Sequence, residues 1–311
     1  MEFRHVSVLL QESIQLLNVK ESGTYADGTL GGGGHAAMIC ERLGPAGYLV
    51  GIDRDVNAIR AASARLAVYP CKKVILHDNF FHIKTVLAKE GIRAIDGMIL
   101  DLGVSSPQLD DGARGFSYHR DARLDMRMDQ EAVLDAFQVV NGYTEAALAD
   151  LIFRYGEEKR ARVIAKEIVK ARKDKPIETT LELAEVIKRA FPPAARFSDK
   201  HPAKRTFQAI RIEVNQELEG LQQAILDIVS VLKENGRLAV ITFHSLEDRI
   251  VKQTFADLAQ GCICPKEFPV CVCGRQPKAR LITKKPVVAG AEEIEENSRA
   301  HSAKLRVLEK I

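Results

Sequence analysis

A glycine-rich segment is the first place where residue types and spacing indicate chemistry. Residues 27–35 read DGTLGGGGH and lie between a short apolar run and a predicted helix. Glycines let a ligand approach the backbone, and a helix N-terminus favours polar or anionic groups. Asp53, 20 residues beyond Gly33, ends the next predicted strand, where a carboxylate accepts hydrogen bonds from ribose hydroxyls. We therefore expect a ribose-bearing cofactor here, with a simple tight turn as the alternative.

The acid before the glycines separates the cofactor classes. The spacing Gly31-x-Gly33-x-x-Ala36 also fits a dinucleotide fingerprint, but no Lys-Ser or Lys-Thr follows, which excludes a P-loop. A carboxylate at Asp27 would repel a pyrophosphate, whereas it suits the cationic methionine end of S-adenosylmethionine. A nicotinamide-dependent dehydrogenase is thus the weakest of the enzyme alternatives.

A second cluster follows the fourth predicted strand, where residues 101–108 read DLGVSSPQ. Ligands of open α/β sheets bind beyond the carboxyl ends of the strands where the winding reverses, here between strands one and four. Asp101 is therefore expected to face the glycine loop. We expect Ser105, Ser106 and the backbone carbonyls of their turn to orient an acceptor amine. Phe80, after the third strand, is either a wall beside adenine or an ordinary core residue.

His244 ends the strand that begins near Arg237 and is expected beside strand four. It contacts a target base or phosphate in one interpretation, and satisfies local backbone groups in the other.

Four of the six cysteines form two pairs, Cys262-x-Cys264 and Cys271-x-Cys273. The N-terminus has no long apolar segment typical of export, so we expect a cytoplasmic protein, in which such a cluster favours metal over disulfides. Structural zinc sites, however, usually pair cysteines two or more residues apart. Structural zinc is one interpretation, and reduced thiols or a labile disulfide are favoured over it.

The order of predicted elements defines the fold class. Strands alternate with helices through residue 102, which predicts a parallel sheet. Helices without strands follow, including one long amphipathic helix over 206–233, before strands resume near 237. We predict an α/β, Rossmann-like core over 1–110 and 209–311, with an inserted all-helical domain over 111–208.

Charge is distributed unevenly over the 311 residues. The net charge is +3, but residues 153–211 hold 16 Lys and Arg against 8 Asp and Glu, a local +8 that leaves −5 elsewhere. This basic segment of the helical insert predicts nucleic acid contact, with a solvated helical face as the alternative. No apolar run approaches the ~18–20 residues that span a bilayer, so we expect no membrane partner.

Five segments closely resemble one bacterial family: 27–35, 101–110, 114–117, 124–129 and 243–249. It is the MraW (RsmH) family of small-subunit ribosomal RNA methyltransferases. The resemblance implies a Rossmann-like, S-adenosylmethionine-dependent methyltransferase with a helical insert. It implies methylation of the exocyclic N4 of a cytidine in the decoding region of 16S rRNA, within the small ribosomal subunit. The cofactor contacts it implies fall on Gly33, Gly34, His35, Asp53, Phe80, Asp101 and Gln108.

Two other functions stay open at this point. The core alone does not distinguish acceptors, so a methyltransferase acting on a DNA or protein amine is one alternative. A non-catalytic RNA-binding factor for ribosome assembly is the other, although the intact Asp101 and glycine loop argue against it. The sequence leaves open whether the protein forms a homodimer.

Overall fold

The computed structural model describes residues 7–105, 108–109, 111–196, 201–265, 268, 270 and 272–311. The chain forms two compact units, one of Met1–Gly103 with Leu218–Ile311 and one of Val104–Glu217. We call them the sheet unit and the helical unit. We predict borders of the insert at 110/111 and 208/209, whereas the helical unit begins at residue 104 and ends at residue 217.

The sheet unit contains one seven-stranded sheet in the order β3-β2-β1-β4-β5-β7-β6. Strands β1 to β5 are parallel, and β7 runs antiparallel to both β5 and β6. The strands are β1 (Thr24–Asp27), β2 (Tyr48–Asp53), β3 (Lys72–His77), β4 (Ile95–Asp101), β5 (Leu232–Thr242), β6 (Ala279–Leu281) and β7 (Lys304–Lys310). The chain runs from β1 to β2 and β3 on one side and then crosses to β4 on the other side of β1, so the winding reverses between β1 and β4 as predicted.

Helices cover both faces of this sheet. They are α1 (Leu10–Leu17), α2 (Gly34–Arg42), α3 (Val56–Leu66), α4 (Ile83–Lys89), α11 (Leu221–Val231), α12 (Ser245–Ala259) and α13 (Ala291–Glu296). Side chains alternate along a strand. On β4, Met98 and Leu100 therefore join the core under α4, α11 and α12, whereas Ile99 joins the core under α1, α2 and α3. Burial on both faces explains the nearly continuous apolar strands.

The helical unit consists of α5 (Ala136–Gly142), α6 (Glu145–Gly156), α7 (Ala161–Ala171), α8 (Thr180–Arg189), α9 (Pro193–Arg196) and α10 (Lys204–Asn215). They surround a core of their own. Asp135 and Thr179 begin α5 and α8 with capping boxes, and the Thr144 side chain caps α6. The described residues of this unit contain no strand, as the predicted helical insert requires.

The predicted long helix over 206–233 is wrong. Two helices, α10 and α11, replace it, and the first ends at Asn215. Gln216 has φ 50° and Gly220 has φ 86°, both left-handed values that interrupt an α-helix. The apolar pattern continues across the break because each helix buries its own apolar face.

No helix in the described part of the chain combines the length and apolar character needed to cross a membrane.

Candidate cofactor site

The glycine loop, residues 28–33, is tied to the strands on both sides of β1. Gly28 N donates to Ile99 O on β4 at 3.0 Å, and Leu30 N donates to Ile52 O on β2 at 3.0 Å. The loop therefore lies across the carboxyl ends of three parallel strands, at the switch point of the sheet.

Sequence reasoning missed the part played by Thr29. Its Oγ1 accepts a hydrogen bond from Asp101 N at 2.6 Å, so the hydroxyl joins the loop to the end of β4. The signal available in the sequence was a hydroxyl side chain within a loop made mostly of glycine.

Two glycines are required by backbone shape and space. Gly33 has φ 74° and precedes α2, a conformation that side chains rarely adopt. A Cβ at Gly34 would lie 1.9 Å from Ser7 Oγ, far inside van der Waals contact. In the described part of the chain no side chain caps α2, so the helix begins at bare glycine backbone.

Asp53 ends β2 and supports the loop. Its Oδ2 accepts from Gly31 N at 2.7 Å, and its Oδ1 accepts from Asp55 N at 2.8 Å. Burial raises the pKa of this carboxyl, while these backbone hydrogen bonds oppose the rise. The Arg54 backbone also binds this carboxylate, and its two oxygens together keep acceptor capacity for a ligand. The predicted ribose contact of Asp53 stays a prediction.

Asp27 and Asp101 are acids with unsatisfied atoms at the ends of β1 and β4. Within the described residues, Asp27 Oδ2 and Asp101 Oδ1 are buried without a hydrogen-bond partner. Burial raises the pKa of Asp27 to about 7, and the nearby charge of Asp53 adds to the rise. The pKa of Asp101 lies well above its usual value because of burial and of the charges of Asp27 and Glu247. Buried carboxylate oxygens without partners indicate a site for a donor or cation.

His35, in the first turn of α2, is buried beside this pair. Its Nε2 donates to Val8 O at 3.2 Å, and its Nδ1 lies 3.8 Å from Asp101 Oδ2. His35 therefore links the segment before α1 to the end of β4. Gly33, Gly34, His35, Asp53 and Asp101 are thus brought together around one loop.

Phe80 lies directly behind the loop. It is buried in the sheet core and meets Phe81 edge-on, with ring centroids 4.8 Å apart. A Cβ at Gly28 would lie 2.9 Å from Phe80 Cβ. Phe80 is a core residue here, and its predicted contact with adenine stays a prediction.

His244 precedes α12, and β5 pairs with β4 as expected. The buried Glu247 accepts from Phe243 N at 2.9 Å, and its other oxygen lies 3.1 Å from His244 Nε2. Both ring nitrogens of His244 are buried and have no hydrogen-bond partner within the described residues, so both interpretations of His244 stay open. A catalytic role for His244 stays a prediction.

The remaining site candidates lie in the helical unit or in a later loop. Ser105 N donates to Oε1 of the buried Gln108 at 3.0 Å. Ser106 lies outside the described residues. The sulfurs of Cys262, Cys264 and Cys273 lie within 4.8 Å of one another, and Cys271 lies outside the described residues.

The arginines that follow Ser105 make contacts inside the helical unit. Arg127 binds Asp125 with two hydrogen bonds of 2.9 and 2.7 Å. Arg123 contacts Asp135 at 2.7 Å, and Arg114 donates to the carbonyl of Met128 at 3.0 Å. They serve as internal structural contacts.

Together, the switch-point loop, the acids ending β1, β2 and β4, and the helical insert define an α/β cofactor-binding protein of the methyltransferase class. The MraW methylase family profile matches residues 2–311. The chain is 55% identical over 312 residues to the ribosomal RNA small subunit methyltransferase H of Clostridium botulinum (strain Kyoto), with 100% of both chains covered. It is 51% identical over 311 residues to the protein of that name from Brevibacillus brevis, covering 100% of this chain and 99% of that one.

The chain belongs to the MraW methylase family. This confirms the resemblance found in the sequence, together with the predicted Rossmann-like methyltransferase fold with a helical insert.

Proposed function

We propose that the protein transfers a methyl group from S-adenosylmethionine to the exocyclic N4 of a cytidine in the decoding region of 16S rRNA. The unsatisfied acid pair Asp27 and Asp101 beside the glycine loop is the observation that carries this proposal. The names of the relatives support ribosomal RNA of the small subunit as the substrate, which also implies a cytoplasmic location.

The residues of the loop fit S-adenosylmethionine. When bound, this cofactor supplies an electrophilic methyl group on a positively charged sulfur. Asp27 and Asp101 offer acceptor oxygens to its cationic amino-acid end, which would favour their ionised forms. Gly33 and Gly34 leave room for close approach, and Asp53 retains acceptor capacity for ribose hydroxyls. His35, Phe80 and Gln108 complete the set that the family resemblance implies.

The chain must chiefly position the acceptor, since cytosine N4 is a poor nucleophile whose lone pair is delocalised into the ring. A bond forms between N4 and the methyl carbon as the sulfur–methyl bond breaks, and the amine then releases a proton to solvent. We assign the orientation of N4 to Ser105, Ser106 and backbone carbonyls of their turn, and contact with the base or a phosphate to His244. Orientation of this kind supplies most of the rate enhancement.

A basic stripe on α7 supports RNA as the substrate. Arg162, Lys166 and Lys170 recur every four residues and are exposed, so they share one face of the helix. Among the ion pairs of the described residues, none involves these three side chains. Such cations contact phosphates, and the base to be modified must leave its stack.

The test is transfer of labelled methyl groups to unmodified small subunits, naked 16S rRNA and DNA, followed by nucleoside analysis. We expect N4-methylcytidine from ribosomal RNA, and label from subunits alone would show that assembled structure is recognised. Label only in DNA or protein would favour the amine alternatives. Cofactor binding without transfer to any acceptor would favour a non-catalytic assembly factor.

A matched pair of variants tests the basic stripe. Lys166→Glu should weaken RNA binding and reduce its salt dependence, because one phosphate contact is lost. Lys89→Glu, at the end of α4 in the sheet unit, serves as the charge-matched control. Equal loss of RNA affinity in both variants would contradict the assignment of α7.

A further inference from the structure

The chain between α12 and β6, residues 260–278, has no assigned role, and we call it the cysteine loop. It brings together sulfurs from two places in the sequence. Cys262 Sγ and Cys273 Sγ lie 3.8 Å apart, and Cys264 Sγ lies within 4.8 Å of both. Sulfurs bound tetrahedrally to one zinc ion at about 2.3 Å would lie roughly 3.8 Å apart. The spacing therefore matches a shared metal ion.

Backbone amides point at all three sulfurs. Cys262 Sγ accepts from Cys264 N at 3.4 Å, and Cys264 Sγ accepts from Val272 N at 3.3 Å. Cys273 Sγ accepts from Ile263 N at 3.5 Å. Hydrogen bonds to metal-bound thiolates orient the ligands and reduce the accumulated negative charge. An N–H donor at each sulfur is thus what a thiolate metal site requires.

Apolar burial does not explain why these sulfurs converge. Every described residue of the loop up to Lys278 is exposed or partly exposed, including Ile263 at 54% and Val272 at 73%. A segment without a core needs another source of stability, and a bound metal supplies one because its binding energy becomes folding energy.

We propose that Cys262, Cys264 and Cys273 bind a structural Zn²⁺ ion that holds the cysteine loop in this shape. Thiolates select soft or borderline metals, and tetrahedral coordination favours zinc. The short Cys-x-Cys spacing argued against zinc in the sequence. In the structure the sulfurs of this pair nevertheless lie within 4.8 Å of each other, and the third sulfur comes from the other arm of the loop. Three thiolates leave one tetrahedral position for a fourth ligand.

The experiment measures zinc in the full chain, produced without a metal-binding tag and purified without chelator. We expect about one zinc per chain, and X-ray absorption should find three or four sulfurs at about 2.3 Å. Cys273→Ser should lower the zinc content at least about tenfold. Cys71→Ala, which removes a buried cysteine outside the loop, should retain the metal.

Folding is checked separately so that loss of metal is not confused with loss of structure. Cys273→His keeps a ligand and should retain zinc with one sulfur fewer, and chelation should speed proteolysis within the loop. Reduced wild-type protein that takes up no added zinc would overturn the proposal. So would two or fewer sulfur ligands, or a disulfide within the cluster of protein purified under reducing conditions.

Discussion

The glycine loop and the cysteine loop both lie in the sheet unit, yet they obtain their shapes in different ways. The glycine loop donates backbone hydrogen bonds to β2 and β4 and buries Leu30, which is 2% exposed. The cysteine loop exposes Val270 at 70%, and sulfur–amide contacts are its characteristic interactions. A substitution in the first loop therefore disturbs the sheet beneath it, whereas the second loop depends on its own ligands.

The largest expected effect is at Asp101. Asp101→Asn should lower S-adenosylmethionine affinity about 100-fold, because removing one partner of a buried ionic contact costs about 3–5 kcal/mol and this side chain is 24% exposed, which favours the lower end. Calorimetric titration measures the change. Asp257→Asn, on the exposed face of α12, is the control and should bind normally. Equal affinity in both variants would remove Asp101 from the site.

The space at Gly34 gives the next effect. Gly34→Ala should lower the free energy of unfolding by about 1–3 kcal/mol, because its Cβ overlaps Ser7 Oγ. Adding Ser7→Ala should recover much of this loss, since the nearest remaining Ser7 atom lies 3.1 Å away. Denaturant titration measures each variant. Gly142→Ala, where nothing lies within 4 Å, should be neutral or slightly stabilising. A double variant no more stable than Gly34→Ala alone would show that Ser7 does not cause the loss.

Titration of Asp27 gives a smaller effect. Its pKa is raised from 3.8 to about 7, so the folded protein without cofactor binds a proton that the unfolded chain releases. The contribution of Asp27 to the free energy of unfolding therefore falls as pH rises from about 4 to 7. S-adenosylmethionine needs the ionised acid, so Asp27 should raise its affinity by up to about tenfold per pH unit toward pH 7, and Asp101, whose pKa is also raised, adds to the slope. Titrations at several pH values measure this. Asp27→Asn should reduce the slope, and an unchanged slope would assign it to another group.

The smallest effect is expected in the cysteine loop. Val270→Ala should change the free energy of unfolding by less than about 0.5 kcal/mol, because the side chain is exposed. Leu30→Ala, in the glycine loop, should cost about 2–5 kcal/mol. Denaturant titration of both variants compares the loops directly. A cost at Val270 near that at Leu30 would show that the cysteine loop is held by apolar contacts.

The sequence predicted well what depends on local pattern. The positions of β1 to β4 follow from short apolar runs, and the switch point follows from their alternation with helices. The break at Gln216 was missed because a left-handed glutamine leaves no compositional signal, and Gly220 alone resembles a tolerated helix glycine. Contacts between distant segments were also hidden, as with Thr29 and Asp101, which are adjacent only in the folded sheet.

The placement of the helical unit between β4 and β5 also determines the order in which the chain is made. Residues 104–217 form one uninterrupted segment, whereas the sheet unit needs strands from both sides of it. During synthesis the helical unit is complete before β5 emerges from the ribosome, and β4 must wait for its neighbour. Since domains fold as units while the chain grows, the helical unit is expected to fold first. The cofactor loop is then stabilised late, when β5 covers the open edge of β4.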